Sequence, residues 1–149
     1  MSAIAAALEG ITLLGLDTAP IIYFVEQHPS YFPLANAVFA RFAQSTSWGY
    51  CSAITLTEVL VHPKRTGDRA LERTYRLLLL ESRNLSLIPV SPLIAERAAE
   101  LRARYRLLTP DAIQIATALQ QGCQTFLTND LTLRRVTELR VLALEELAG

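Results

Sequence analysis

Residues 109–130 read TPDAIQIATALQQGCQTFLTND, and this one stretch holds both of the periods that decide an α/β fold. Ile113, Ala116 and Leu119 recur at helical spacing, whereas residues 125–128 form a short apolar run of strand length. Thr109 ahead of Pro110 marks a helix start by a capping hydroxyl and a proline in the first turn, and Gly122 marks the helix end. A helix that feeds directly into a strand is half of a βαβ unit, so it packs back antiparallel on a parallel sheet. Its N-terminus then lies at the edge where the strand ends. The stretch carries an acid at both places, Asp111 in the first turn of the helix and Asp130 just past the strand.

The same alternation extends over the chain. Further apolar runs of strand length lie at 11–16, 50–55 and 85–90, with a fifth candidate at 140–144. Between them, Tyr31, Leu34, Val38, Phe39 and Phe42 keep helical spacing, as do Leu71, Tyr75, Leu78 and Leu79, and then Ile94, Ala98, Leu101 and Tyr105. Ser91 before Pro92, and Thr18 shortly before Pro20, mark two more helix starts. Residues 61–68, with Pro63 and Gly67, read as a connection between helices. The expectation is a three-layer α/β/α domain with a central parallel sheet of four to five strands, occupying 1–149 as a single unit.

Composition narrows the class. A chain of 149 residues, 51% hydrophobic and 19% charged, suits one globular domain with its own core. No apolar run approaches the roughly 20 residues of a membrane span. The Ala-rich start has no Lys or Arg ahead of it, as a secretory signal would, so a cytoplasmic protein is expected. Cys51 and Cys123 sit in apolar surroundings and are expected to be buried free thiols. Formal net charge is zero, which excludes a generally basic nucleic-acid binder, but of the 14 basic residues only Lys64 is lysine. Arginine's planar fork suits phosphate.

Two more acids join Asp111 and Asp130 at one edge. Asp17 ends the first strand and Glu58 opens the helix after the second. Open α/β sheets bind ligands outside the carboxyl ends of their strands, at the point where strand order reverses. With the fourth strand beside the first, Asp17 stands at the centre. Each acid alone has a plain structural use: Glu58 lies three residues after Thr55, the capping-box spacing, Asp111 complements a helix dipole, and Asp17 and Asp130 suit turns or caps. Independent caps have no reason to converge, however, and three of the chain's four aspartates fall on this edge. Clustered carboxylates repel, and a divalent cation is the natural remedy. Mg²⁺ and Mn²⁺ take oxygen ligands, and two such ions about 3.5–4 Å apart support phosphodiester hydrolysis without a nucleophilic side chain.

Four blocks then carry a family resemblance: LDTAPIIY at 16–23, ITLTEVL at 54–60, TPDAIQIATAL at 109–119 and FLTND at 126–130. In order and spacing they resemble a PIN domain, and more narrowly the VapC-like ribonuclease toxins of type II toxin–antitoxin systems. The resemblance implies a metal-dependent endoribonuclease in which Asp17, Glu58, Asp111 and Asp130 hold Mg²⁺ or Mn²⁺, with Thr128 supporting the site. It also implies an RNA substrate, a homodimer, and a small antitoxin protein whose C-terminal segment blocks the metal site. The groove for that segment is expected between residues 21–25 and the helix bearing Tyr31, Leu34, Val38 and Phe42. About ten residues precede the first strand, more than many such toxins carry, and Asn129 gains no role. Arg102, Arg104 and Arg106 are candidate RNA contacts, against the plainer reading of a solvated face with Glu100 paired to Arg104. His28 and His62, each before a proline, read as surface or helix-end residues. A response-regulator receiver would need an aspartate after strand three, where Pro89-Val90-Ser91 stand, and a dehalogenase-type phosphatase a second aspartate at position 19, which is alanine. The remaining alternative is a catalytically idle PIN scaffold that binds RNA or protein without cleavage.

Overall fold

The computed structural model describes residues 2–148. Along the chain run α1 (Ala3–Leu8), β1 (Leu13–Leu16), α2 (Thr18–Val25), α3 (Phe32–Ala43), β2 (Trp48–Ser52), α4 (Ala53–Thr66), α5 (Arg69–Glu81), β3 (Leu85–Ile88), α6 (Pro92–Tyr105), α7 (Thr109–Gln120), β4 (Thr125–Thr128), a 3₁₀ turn (Leu131–Arg135), β5 (Arg140–Ala143) and α8 (Leu144–Leu147). The strands form one sheet in the order β3-β2-β1-β4-β5, every neighbouring pair parallel. β1 is central and flanked by β2 and β4, so the strand order reverses beside it, as expected.

Alternation along the strands separates two cores. Leu14, Cys51, Leu127 and Leu142 point to a layer shared with α1 to α5, while Leu13, Tyr50, Phe126 and Val141 point to the layer of α6 and α7. Three layers result. Ala3–Leu8, ahead of β1, fold as α1 and bury Ile4 and Leu8 in the larger core. Cys51 and Cys123 are buried free thiols, each pushed up to about 12 by burial. Among the described residues no helix is long and apolar enough to cross a membrane.

Several boundaries differ from the sequence expectation. β2 ends at Ser52 rather than continuing to residue 55, because the Ser52 hydroxyl accepts from the Ile54 amide (3.1 Å) and starts α4 there. Thr55 and Glu58 therefore lie inside α4 and form no capping box. α4 also runs on through Pro63, so the expected connection at 61–68 shrinks to Gly67, left-handed at φ 73°, and Asp68, whose carboxylate caps α5 at Leu71 (3.0 Å). The hydroxyl of Thr66 turns back to the His62 and Pro63 carbonyls. Asp17, not Thr18, caps α2, and α7 starts from Leu108 without a side-chain cap. Ser91 caps α6 as expected, accepting from Ile94 at 3.2 Å.

α7 lies very close to β1. A Cβ placed on Gly15 would lie 2.4 Å from Ala118 Cβ and 3.1 Å from the Phe126 ring. The bare backbone at 15 lets the helix rest directly on the central strand. Gly15→Ala should therefore cost about 1–3 kcal/mol, the usual range for overpacking, measured by chemical denaturation. Ala118→Gly in the same chain should recover part of the loss. A neutral Gly15→Ala would contradict the direct contact.

Candidate active site

Each acid reaches the carboxyl edge of the sheet by a different route. Asp17 follows β1, and its amide still pairs with the Leu127 carbonyl (2.9 Å), which holds it level with β4. Its Oδ1 accepts from the Thr18 amide (2.8 Å) and its Oδ2 from the Thr128 hydroxyl (2.6 Å). Only 9% of Asp17 is exposed. Glu58 stands in the second turn of α4, where its Oε1 accepts from the Thr18 hydroxyl (2.6 Å) and from Gln114 Nε2 (2.9 Å). Asp111 lies in the first turn of α7. Asp130 caps the 3₁₀ turn through Thr132, and its amide donates to Thr128 Oγ1 (3.0 Å). The Thr128 hydroxyl thus ties Asp17 to Asp130.

The four acids share one electrostatic field. Asp111 is pushed up from 3.8 to about 6, by burial first and then by Asp17, Asp130 and Glu58. Asp17 is also raised, by burial above all, with Glu58 and Asp130 adding; its bonds from Thr128 and Thr18 pull the other way. That opposition explains why the exceptional shift falls on Asp111 rather than on the central Asp17. No cationic side chain enters either account.

The acids are not closed around a point. Among the described residues no three His, Cys, Asp or Glu side chains are grouped as metal ligands. Asp17, Glu58 and Asp130 each give at least one oxygen to the scaffold, and three like charges already press on Asp111. The donor set, all oxygen and unneutralised, suits a hard divalent cation in chemistry, and Mg²⁺ retains several waters rather than requiring a full protein cage.

Gln114 and Asn129 stand beside this edge although the sequence reading gave neither a role. Gln114 is 2% exposed and reaches Thr18, Glu58 and, more distantly, Thr55. The signal was available: it lies three residues after Asp111, on the same side of the helix, and is the one amide within AIQIATAL. Asn129 donates to the Tyr23 hydroxyl (3.1 Å) and accepts from the Glu145 amide (2.8 Å), bracing the loop between Thr128 and Asp130.

Other candidates have different surroundings. Arg104 pairs with Glu138, which also binds the Tyr105 hydroxyl, and not with Glu100. Arg102 donates to the Leu107 carbonyl (2.9 Å), and Arg106 caps α6 in a left-handed conformation at φ 56°. Val38 and Phe42 are buried in the core, Tyr31 and Leu34 are half-buried against it, and Phe42 also lines an apolar pocket with Phe24, Phe39, Ala43 and Leu78 between α2, α3 and α5. Exposed apolar side chains include Leu108 (71%) and Leu131 (41%), neighbours in sequence of Asp111 and Asp130. His28 Nδ1 accepts from the Ser30 and Tyr31 amides, while His62 lies within α4.

Comparison with known proteins adds a family and a fold. A family model described as PIN domain matches residues 15–139. No curated protein matches the chain. Among solved structures, a toxin–antitoxin complex from Klebsiella pneumoniae contains a similar chain, 26% identical with a TM-score of 0.66, covering 89% of this chain and 97% of that one. VapBC2 from Rickettsia felis, bound to a DNA fragment of their promoter, gives 16% identity and a TM-score of 0.67, covering 89% and 98%. VapC20 of Mycobacterium tuberculosis, a sarcin–ricin loop cleaving toxin, gives 18% and 0.64, covering 87% and 99%. At the two lower identities the likeness is one of fold.

The raised carboxyl of Asp111 has a sign that can be checked. A group whose folded pKa exceeds its unfolded value binds more protons when folded, so stability falls as pH rises from about 4 through about 6. In EDTA at pH 7, Asp111→Asn should stabilise the protein by about 1 kcal/mol, the linkage value discounted for partial exposure, and the gain should vanish below about pH 4. A loss of several kcal/mol would instead mark Asp111 as a structural acid.

Proposed function

Because the chain belongs to the PIN-domain family, we propose that it is a Mg²⁺- or Mn²⁺-dependent endoribonuclease and the toxin of a toxin–antitoxin pair. The observation that carries the reading is the field at Asp111, set by Asp17, Asp130 and Glu58 from three other elements. Asp17, Glu58, Asp111 and Asp130 would hold the metal, and Thr128 would support them. When bound, the cation supplies the charge that activates water and stabilises the leaving oxygen.

The chain's own residues supply the rest. Asp17, gripped from both sides by Thr18 and Thr128, presents a fixed carboxylate at the centre of the edge. Thr128 keeps Asp130 in register with it. Arg102, Arg104 and Arg106 are the candidate phosphate contacts, Arg104 on leaving Glu138. We further read the chain as one domain over 1–149, a homodimer, and a cytoplasmic protein. Its small antitoxin would place a basic side chain among the acids and rest on apolar neighbours such as Leu108 and Leu131. The toxin role is supported by the 26% identical chain of the Klebsiella pneumoniae toxin–antitoxin complex. The alternative, an idle scaffold that binds RNA or protein without cutting, draws its support from the open arrangement of the four acids.

RNA cleavage should appear with Mg²⁺ or Mn²⁺ and stop in EDTA. Asp17→Asn should lower the rate by about 100-fold or more while the fold persists. An idle scaffold would bind RNA equally well in wild type and variant and yield no cleavage product from either.

A further inference from the structure

We propose that Gln114 is the positioning residue of the acidic site, clamping Glu58 by Oε1 so that Oε2 is the oxygen left to ligate a cation; the inference rests on reading the acids as a cation site. Gln114 lies one turn beyond Asp111 on α7 and is buried, as are its sequence neighbours Ala112, Ile115 and Ala116. Its Nε2 donates to Glu58 Oε1 (2.9 Å) and to Thr18 Oγ1 (2.8 Å), with a longer contact to Thr55 Oγ1 (3.4 Å). The Thr18 hydroxyl donates to the same Glu58 oxygen at 2.6 Å. Two donors from two helices therefore converge on one oxygen of a side chain that is otherwise long and largely exposed. Both bonds are charge-assisted.

The amide's other end shows that packing is not its purpose. Gln114 Oε1 is buried and has no hydrogen-bond partner among the described residues. Burying an acceptor without a donor is costly, and such a group calls for an explanation. Exchanging the two ends of the amide gives no relief, since the oxygen would then face the Glu58 carboxylate at 2.9 Å. Glu58 thus dictates the orientation, and the fold bears the unpartnered oxygen for it. An apolar residue like its neighbours would fill this space without either cost. Groups that orient metal ligands in this way typically change metal affinity by about 10- to 100-fold when removed.

The test uses the full-length protein and Mn²⁺ alone, followed by electron paramagnetic resonance. Gln114→Met keeps the length and the apolar packing. It should weaken Mn²⁺ binding about tenfold in the wild-type background and have no further effect when Glu58 is already alanine. Gln114→Asn, which keeps the amide but withdraws it by one carbon, should also weaken binding and serves if the first variant does not fold. Undiminished binding, or an equal loss in the Glu58→Ala background, would overturn the proposal. A metal-free arm stands apart: the Gln114 side-chain amide protons should exchange slowly in wild type and faster in Glu58→Ala. Were wild type to bind no Mn²⁺, the cation reading would fall, and this arm alone would decide the clamp, equal exchange rates refuting it.

Discussion

The direct contact of α7 with β1 at Gly15 is the constraint on which the rest of the structure depends. Ala118 rests where a side chain at 15 would stand. From that point α7 runs back seven residues to Asp111, roughly 10 Å at helical rise, while β1 runs forward two residues to Asp17, roughly 7 Å. Both reach the same edge. Gln114, four residues from Ala118, comes level with Thr18 at the start of α2, and the hydrogen bonds observed there follow from this alignment. A side chain at 15 would lift the helix and separate every group whose position is counted from it.

The edge so built gathers like charges, and the fold answers their repulsion unevenly. Asp17 receives two donors, Glu58 two, and Asp130 the amide and hydroxyl of Thr132. On Asp111 every cause of its shift acts in the raising direction. Among the described residues the carboxylates are close enough to feel one another without three of them being gathered around one point. The proposed cation, or the basic side chain of the proposed partner, would relieve this repulsion.

Much of the fold was legible because it is written in periods. The helical repeats of α3, α5, α6 and α7 and the strand runs placed most elements; the position of β4 beside β1 entered the edge argument as a condition, and the sheet order meets it. What failed was local competition among chemically equivalent choices. Ser52 and Thr55 can each cap a helix, and the structure uses Ser52. Pro63 suggests a break, yet α4 carries it and ends at Gly67 instead. Arg104 has Glu100 four residues away but finds Glu138 across the tertiary structure. That the four acids share one edge was readable from their positions in the topology. Gln114 was not singled out because a lone amide in an apolar helix has many uses, and only its partners and its empty oxygen distinguish this one.

The central claim is that Asp17, Glu58, Asp111 and Asp130 form one cation site. Its most direct measurement is a titration of the isotopically labelled protein with substoichiometric Mn²⁺, followed by paramagnetic broadening of side-chain carboxyl and backbone resonances. The account predicts that the signals of these four residues and of Thr128 broaden first and together, while those of Asp68 and Glu72 on the α4–α5 side persist. Broadening that begins elsewhere, or that reaches only one of the four acids, would contradict it.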